Sequence, residues 1–234
     1  MQPYFLPYVG YWQLLNYVDK WVFFDDIQFE KKGWVCRNRI CHPNDTQNFQ
    51  YLIIPVKKSY LKKISEIEID ISLDDLMKNY LGKLSSFKRK AAGYEVAVNL
   101  IKNIFEYKYP EKPLLSEILL RSIVEVNKLL NINTEIILQK NIVYDKKLIN
   151  EPGDWAFEIS RALNVREYVN PIKGAFLFNQ EKFNKNDIKI SFLNPTINSY
   201  PNHQKMLPKL SILDLLLWND IDWVKQQIRL NRLG

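Results

Sequence analysis

A chain of 234 residues, 47% hydrophobic and 25% charged, has the composition of an ordinary soluble globular protein and is long enough to bury a substantial core. No run approaches the ~18 uncharged apolar residues of a membrane span, and the N-terminus lacks the basic start and unbroken apolar centre of a signal peptide, so a cytoplasmic location is expected. The net charge of +7 suits anionic partners such as phosphorylated small molecules, whereas no RNA-binding, zinc-finger or helix-turn-helix pattern accompanies it, so nucleic acid is not expected as a partner.

Residues 2–10 read as a loop, because Pro3 and Pro7 lack an amide hydrogen and hold the residues before them extended. YWQLLNYVD (11–19) has helical spacing at Trp12, Leu15 and Val18. The apolar run Trp21–Phe24 then stops abruptly at Asp25–Asp26, as expected of a strand covered on both faces. GWVCRNRI (33–40) and FQYLIIPV (49–56) read as strands joined by the turn-forming HPNDTQ. ISEIEIDI (64–71) alternates isoleucine with acid, the pattern of a half-buried strand.

The middle of the chain reads as helical. Residues 72–91 open with Ser72 as N-cap and Asp75 three residues on. Helices follow over 94–107 and 113–132, the latter with an apolar stripe from Leu115 to Leu130. A strand is expected at 134–142, a helix from about Asp154, a strand ending at Asn170–Pro171, a short helix after Lys173 and a strand at 188–194. A loop then leads into two closing helical stretches. The alternation predicts an α/β fold: a mostly parallel sheet flanked by helices, in a single domain over 1–234 with a central helical insertion at about 72–132.

In open α/β sheets, ligands sit beyond the carboxyl ends of the strands. Asp25 and Asp26 stand at such an end, where a carboxylate can take a proton or orient an amine, or else cap a turn. Arg37 and Arg39 would share one strand face, with Asn38 opposite, and their guanidinium forks match a diphosphate or serve as paired surface charges. EPGDWAFEI places Asp154 at a helix start, best read as a cap, and YVNP puts Asn170 at a strand end. His203 lies in a polar loop, where it would be accessible as a general base or else be inert. Cys36, Cys41 and His42 lack a second ligand pair, so reduced thiols rather than a metal site are expected. No GxSxG, Walker A or GxGxxG stretch is present, and the cofactor stays open, including any need for ATP.

QPYFLPYVGYWQLLNYVDKWVFFDDIQFEKKGWVCRNRI resembles the N-terminal signature of the WbqC-like proteins of bacterial O-antigen and polysaccharide biosynthesis. The likeness continues through YLIIPV, ISEIEI, EPGDWAFEIS, YVNPIKG and LPKLSILDLLLWND. Members usually carry a short apolar strand before the Gln-Pro pair, whereas Gln2 here follows Met1 directly; the parallel sheet would then be short of one member. The cysteines flanking RNRI depart from the family pattern. The resemblance implies a transferase acting on a nucleotide-linked sugar, by N-acyl or aminoacyl transfer to an amino sugar. Asp25, Asp26 or His203 would assist the proton transfer, and Gln2, Tyr4, Gln28, Arg37, Asn38, Arg39 and Asn170 would line the site. A weaker likeness links the Pro-rich loop, the Gly10 turn and the Asp-ended strand to HIGH-type nucleotidylyltransferases and acyl-adenylate ligases. Here Val9 and Tyr11 flank the glycine instead of histidines. The remaining alternative is a sugar-binding scaffold, and the oligomeric state stays open.

Overall fold

A computed structural model describes residues 1–57, 61–198 and 209–230. In chain order these form α1 (Val9–Tyr17), β1 (Lys20–Phe23), β2 (Arg37–His42), β3 (Asp45–Ile53), α2 (Leu73–Ser85), α3 (Tyr94–Phe105), α4 (Leu115–Leu130), β4 (Glu135–Leu138), α5 (Pro152–Ala162), β5 (Glu167–Pro171), α6 (Gln180–Asn184), β6 (Lys189–Leu193), α7 (Ile212–Trp218) and α8 (Ile221–Ile228). Single 3-10 turns lie at Ile64–Glu66, Gln139–Asn141, Lys146–Leu148 and Ile172–Leu177.

The class is mixed α/β, with short parallel sheets flanked by helices. The parallel pairing is divided rather than continuous. β1 runs parallel to β4, with Lys20 opposite Glu135 and Phe23 opposite Leu138. β5 runs parallel to β6, with Glu167 opposite Lys189 and Pro171 opposite Leu193. A parallel partner can be reached only by a crossover. Between β1 and β4 the chain makes the antiparallel hairpin β2–β3 and then α2, α3 and α4. On the edge of β1 away from β4, Met1 forms one rung: its nitrogen donates to the Val22 carbonyl at 2.7 Å and its carbonyl accepts from the Phe24 amide at 3.2 Å.

Most expected elements form where the sequence places them. Trp21 and Phe23 are buried, as the apolar run requires. Ser72 caps α2, accepting from the Asp75 amide at 3.1 Å and donating to its carboxylate at 2.7 Å. α4 ends at Asn131, whose φ of 56° supplies the left-handed turn common at helix ends. The strand expected at 134–142 ends at Leu138 and gives way to the 3-10 turn Gln139–Asn141, and one element is of a different kind altogether. ISEIEIDI is a 3-10 turn followed by isolated bridges, not a strand. Ile64 and Ile67, three apart, are both fully buried, so the stretch packs as a turn and its acids remain at the surface.

The opening stretch is mainly framework. α1 buries every residue from Val9 to Leu15, so it is a core helix rather than an amphipathic surface one. The loop before it is pinned from three sides. Asn38 donates to the carbonyls of Phe5 and Leu6, Trp12 Nε1 donates to Pro7, and Ser211 Oγ donates to Leu6. These bonds hold Leu6 at a φ of 43°, a conformation a non-glycine residue adopts only when its surroundings demand it. Gln13, fully buried, bridges Thr196 and the Gln227 carbonyl, anchoring the segment after β6 to α1 and α8.

Candidate functional site at the end of the first strand

The chain leaves β1 through Phe24, Asp25 and Asp26, and three distant segments converge there. Residues 25–29 pair with 62–65: Ser65 donates to the Asp25 carbonyl at 3.1 Å, Ile64 to Ile27 at 2.9 Å and Phe29 to Lys62 at 2.9 Å. That pairing brings Lys63 onto the Asp26 carboxylate, where the two form an ion pair. From the end of β4, buried Gln139 accepts the Asp26 amide hydrogen at 2.9 Å and donates to the Tyr144 hydroxyl at 2.7 Å. The 3-10 turn that follows delivers Lys146 to the other oxygen of Asp26. Trp155, in the first turns of α5, closes the group, its ring 5.3 Å from Phe24 and 6.2 Å from Tyr144.

The two neighbouring carboxylates are poised in opposite directions. Burial raises the pKa of Asp25 and the Asp26 charge adds to the rise, while a backbone hydrogen bond and, less, the Lys140 charge only partly offset it. Burial also pushes Asp26 upward, but the hydrogen bonds and charges of Lys146 and Lys63 outweigh it, and its pKa lies below the ordinary range. Asp26 therefore stays charged, while Asp25 is the better proton acceptor. Environments that separate two adjacent titrating groups are how one site obtains both an acid–base group and a fixed charge.

Asn170 is the penultimate residue of β5, its Oδ1 accepting from the Tyr168 hydroxyl at 3.1 Å and its Nδ2 donating to the Pro171 carbonyl at 3.2 Å. A side chain at Gly174 would stand 2.3 Å from that amide, so the glycine is what lets the next turn fold over it. Asn170, Phe24 and Trp155 share the lining of a cavity of about 510 Å³ between β1 and β5. Asp154 is a cap: its Oδ2 accepts the amides of Asn150 and Glu151 at 2.9 and 3.0 Å, and its Oδ1 holds Lys182 at 2.5 Å.

The other sequence candidates fall into separate groups. Gln28 is exposed and bridges to Lys63, so it borders the strand-end cluster. Gln2 accepts from the Tyr4 hydroxyl at 3.3 Å, and Tyr4 is raised in pKa by burial and by Glu30. Asn38 spends its amide on the Pro-rich loop and is buried, which makes it a positioning residue for that loop. Arg37 and Arg39 share the opposite face of β2. Arg37 lies 5.3 Å from the Trp34 ring and 5.8 Å from Tyr51; Arg39 lies 5.3 Å from Trp34 and 4.5 Å from Phe49. They form an arginine–aromatic surface of the hairpin. His203 lies outside the described residues.

Cys36 and Cys41 are buried and form no disulfide, and among the described residues no group of three His, Cys, Asp or Glu side chains could hold a metal ion. Gly10 sits in the first turn of α1, where a Cβ would stand 2.6 Å from Tyr8 and 2.7 Å from Pro195, so it serves close packing of the loop after β6. Sequence reasoning missed Lys63, Lys146, Gln139, Tyr144 and Trp155. All but Lys63 lie more than a hundred residues from Asp26, and no local pattern marks them.

Short parallel strands flanked by helices place the chain in the α/β class, in which ligands commonly sit beyond the carboxyl ends of strands. The WbqC-like protein family matches residues 2–226, and this chain belongs to it. A protein of Mycobacterium tuberculosis named "Uncharacterized protein Rv1507c" is 26% identical over 224 residues, covering 92% of this chain and 90% of its own length. No solved structure matches.

Proposed function

We propose that this chain is a transferase of surface-polysaccharide biosynthesis, moving an acyl or aminoacyl group onto the amine of a nucleotide-activated amino sugar at the end of β1. The pathway context is a general association of the WbqC-like name. The observation that carries the reading is the opposite poise of Asp25 and Asp26 beside two lysines.

In this reading Lys63 and Lys146 receive the diphosphate, the role that sequence alone gives to Arg37 and Arg39. Asp26 keeps both ammonium groups in place before the ligand arrives. The amine nitrogen attacks the carbonyl carbon of an activated acyl donor such as a thioester or acyl phosphate. The N–C bond forms, the bond to the sulfur or phosphate oxygen breaks, and Asp25 takes the proton lost by the nitrogen. Gln28 and Asn170 offer amides to the sugar hydroxyls, and His203 remains a second candidate for the proton. Gln2 and Tyr4, bonded to each other at 3.3 Å, are further candidates for substrate binding.

The test is turnover. A panel of nucleotide-linked amino sugars is incubated with acyl thioesters and acyl phosphates, and products are read by mass spectrometry as an added acyl mass. Asp25→Asn should lower the rate by about 10²–10⁴-fold while leaving ligand binding intact, the size expected for losing a general base. A rate unchanged in Asp25→Asn and abolished in His203→Ala would assign the proton to His203 instead. Binding without turnover of any panel member would favour a sugar-binding scaffold.

A further inference from the structure

Five of the ten large hydrophobic side chains exposed among the described residues lie in two short segments, Val143 and Leu148 in one, Ile172, Phe176 and Leu177 in the other. The two segments meet at one place. Tyr144, next to Val143, has its ring 6.2 Å from Trp155. Leu177, next to Phe176, puts its carbonyl where a Cβ on Gly153 would stand only 2.2 Å away. Gly153 and Trp155 belong to the same first turn of α5, so Val143 and Phe176 flank a single helix end. They are the most protruding members, 94% and 84% exposed. Exposed lysines accompany them: Lys140 and Lys147 beside Val143, and Lys173 beside Phe176. Lys146 is already held by Asp26; Asp145 lies two residues from Val143, Glu151 just before α5, and Glu181, five residues after Phe176, is paired with Lys185 at 3.6 Å.

We propose that this rim docks on an anionic lipid surface, with Val143 and Phe176 entering the headgroup region and Lys140, Lys147 and Lys173 pairing with lipid phosphates. Two features select lipid over a protein partner. Protein interfaces are depleted of lysine at their contacting core, and their anchors sit in packed pockets, whereas here single apolar tips protrude between lysines. Apolar tips framed by cations are the arrangement that membrane interfaces reward, by burial of apolar area together with attraction to the negative surface. A second copy of the chain is disfavoured by the like charge it would bring to the same rim. The rim adjoins the strand-end cluster through Trp155 and Tyr144, but docking does not depend on the reaction proposed there.

The test is co-sedimentation of the full chain with vesicles of phosphatidylcholine alone and of an equal mixture with phosphatidylglycerol. Binding is expected to the mixed vesicles, weakening as salt is raised. The double variant Val143→Ser/Phe176→Ser and the triple variant Lys140→Gln/Lys147→Gln/Lys173→Gln should each lose it, the lysines contributing about fivefold apiece. These exposed positions should leave the melting temperature nearly unchanged, and that measurement accompanies each variant. No binding of the wild type to mixed vesicles overturns the proposal, as does binding that both variants retain. A rim that instead governs self-association, read as a change in elution volume in the double variant without lipid, overturns it in favour of a dimer contact.

Discussion

Lys146 reaches Asp26 across 120 residues of sequence, and Lys63, from a segment much nearer in sequence, takes the other carboxylate oxygen. The Asp26 side chain is 19% exposed while the lysines are 56% and 44% exposed, so one half-sheltered acid organises two largely solvated cations. Such pairs contribute little to stability, because water screens them and long side chains must be held in place. In the proposed reaction their value lies in presenting two positive charges beside a fixed negative one.

Asp26→Asn is therefore expected to spare the fold and damage function. Its folded-state pKa is depressed, so its contribution to stability is present above the ordinary carboxylate range and is lost as the pH falls through the lowered value. The variant should melt within a few degrees of wild type at pH 7, and the small difference should vanish in strong acid. Loss of cooperative unfolding would make Asp26 a structural residue.

Asp25 supplies the opposite signature. Its raised pKa means that the rate falls as the pH drops through a value above that of an ordinary carboxylate. The acid limb of the pH–rate profile should disappear in Asp25→Asn along with most of the rate. An acid limb that survives in the variant belongs to another group.

Asp214 lies buried in α7, accepting the Cys41 amide at 2.7 Å, and burial pushes its pKa up to about 7 from the ordinary 3.8. The folded state then binds more protons than the unfolded chain between those values, so the Asp214 contribution to stability falls as the pH rises from about 4 to about 7 and stays lost above it. Asp214→Asn removes the titration. The stability of wild type minus that of the variant should decline across that window and flatten beyond it; a difference independent of pH would mean that Asp214 does not titrate there.

Two glycines make a paired test of packing. A Cβ at Gly93 would lie 1.8 Å from the Leu216 carbonyl, where α3 begins against α7, whereas a Cβ at Gly82 in α2 would meet nothing within 4 Å. Gly93→Ala should cost about 3 kcal/mol, since backbone must move. Gly82→Ala should stabilise by about 0.5–1 kcal/mol through helix propensity and a less flexible unfolded chain. Denaturant titrations of the two variants should shift in opposite directions.

How much of this was legible in the sequence depends on range. The buried strand at Trp21–Phe23, the Ser72 cap and the Asp154 cap all follow from neighbours within a few residues, and local chemistry decides them. Arg37 and Arg39 sharing a face, with Asn38 opposite, follows from strand alternation. The stretch 64–71 misled because its alternating isoleucines also satisfy a 3-10 turn once Ile64 and Ile67 are both buried. The division of the sheet into pairs was not legible, since partner choice between parallel strands is set by crossovers. The strand-end site was half legible. Its carboxylates stand where an apolar run stops, but Lys63, Gln139 and Lys146 are brought in by tertiary pairing alone. Asn38 looked like a site residue because it is polar beside two arginines; in the fold its amide serves the Pro-rich loop.

The most direct measurement is the melting temperature of wild type and of the Lys63→Ala/Lys146→Ala double variant against nucleotide-linked amino sugars, free nucleoside diphosphates and ATP. A ligand bound only by the folded state raises the melting point by mass action. The account predicts a rise for wild type with a nucleotide-linked amino sugar, a smaller rise with the diphosphate, and neither in the double variant. An equal rise in both proteins, or a rise with ATP alone, would contradict it.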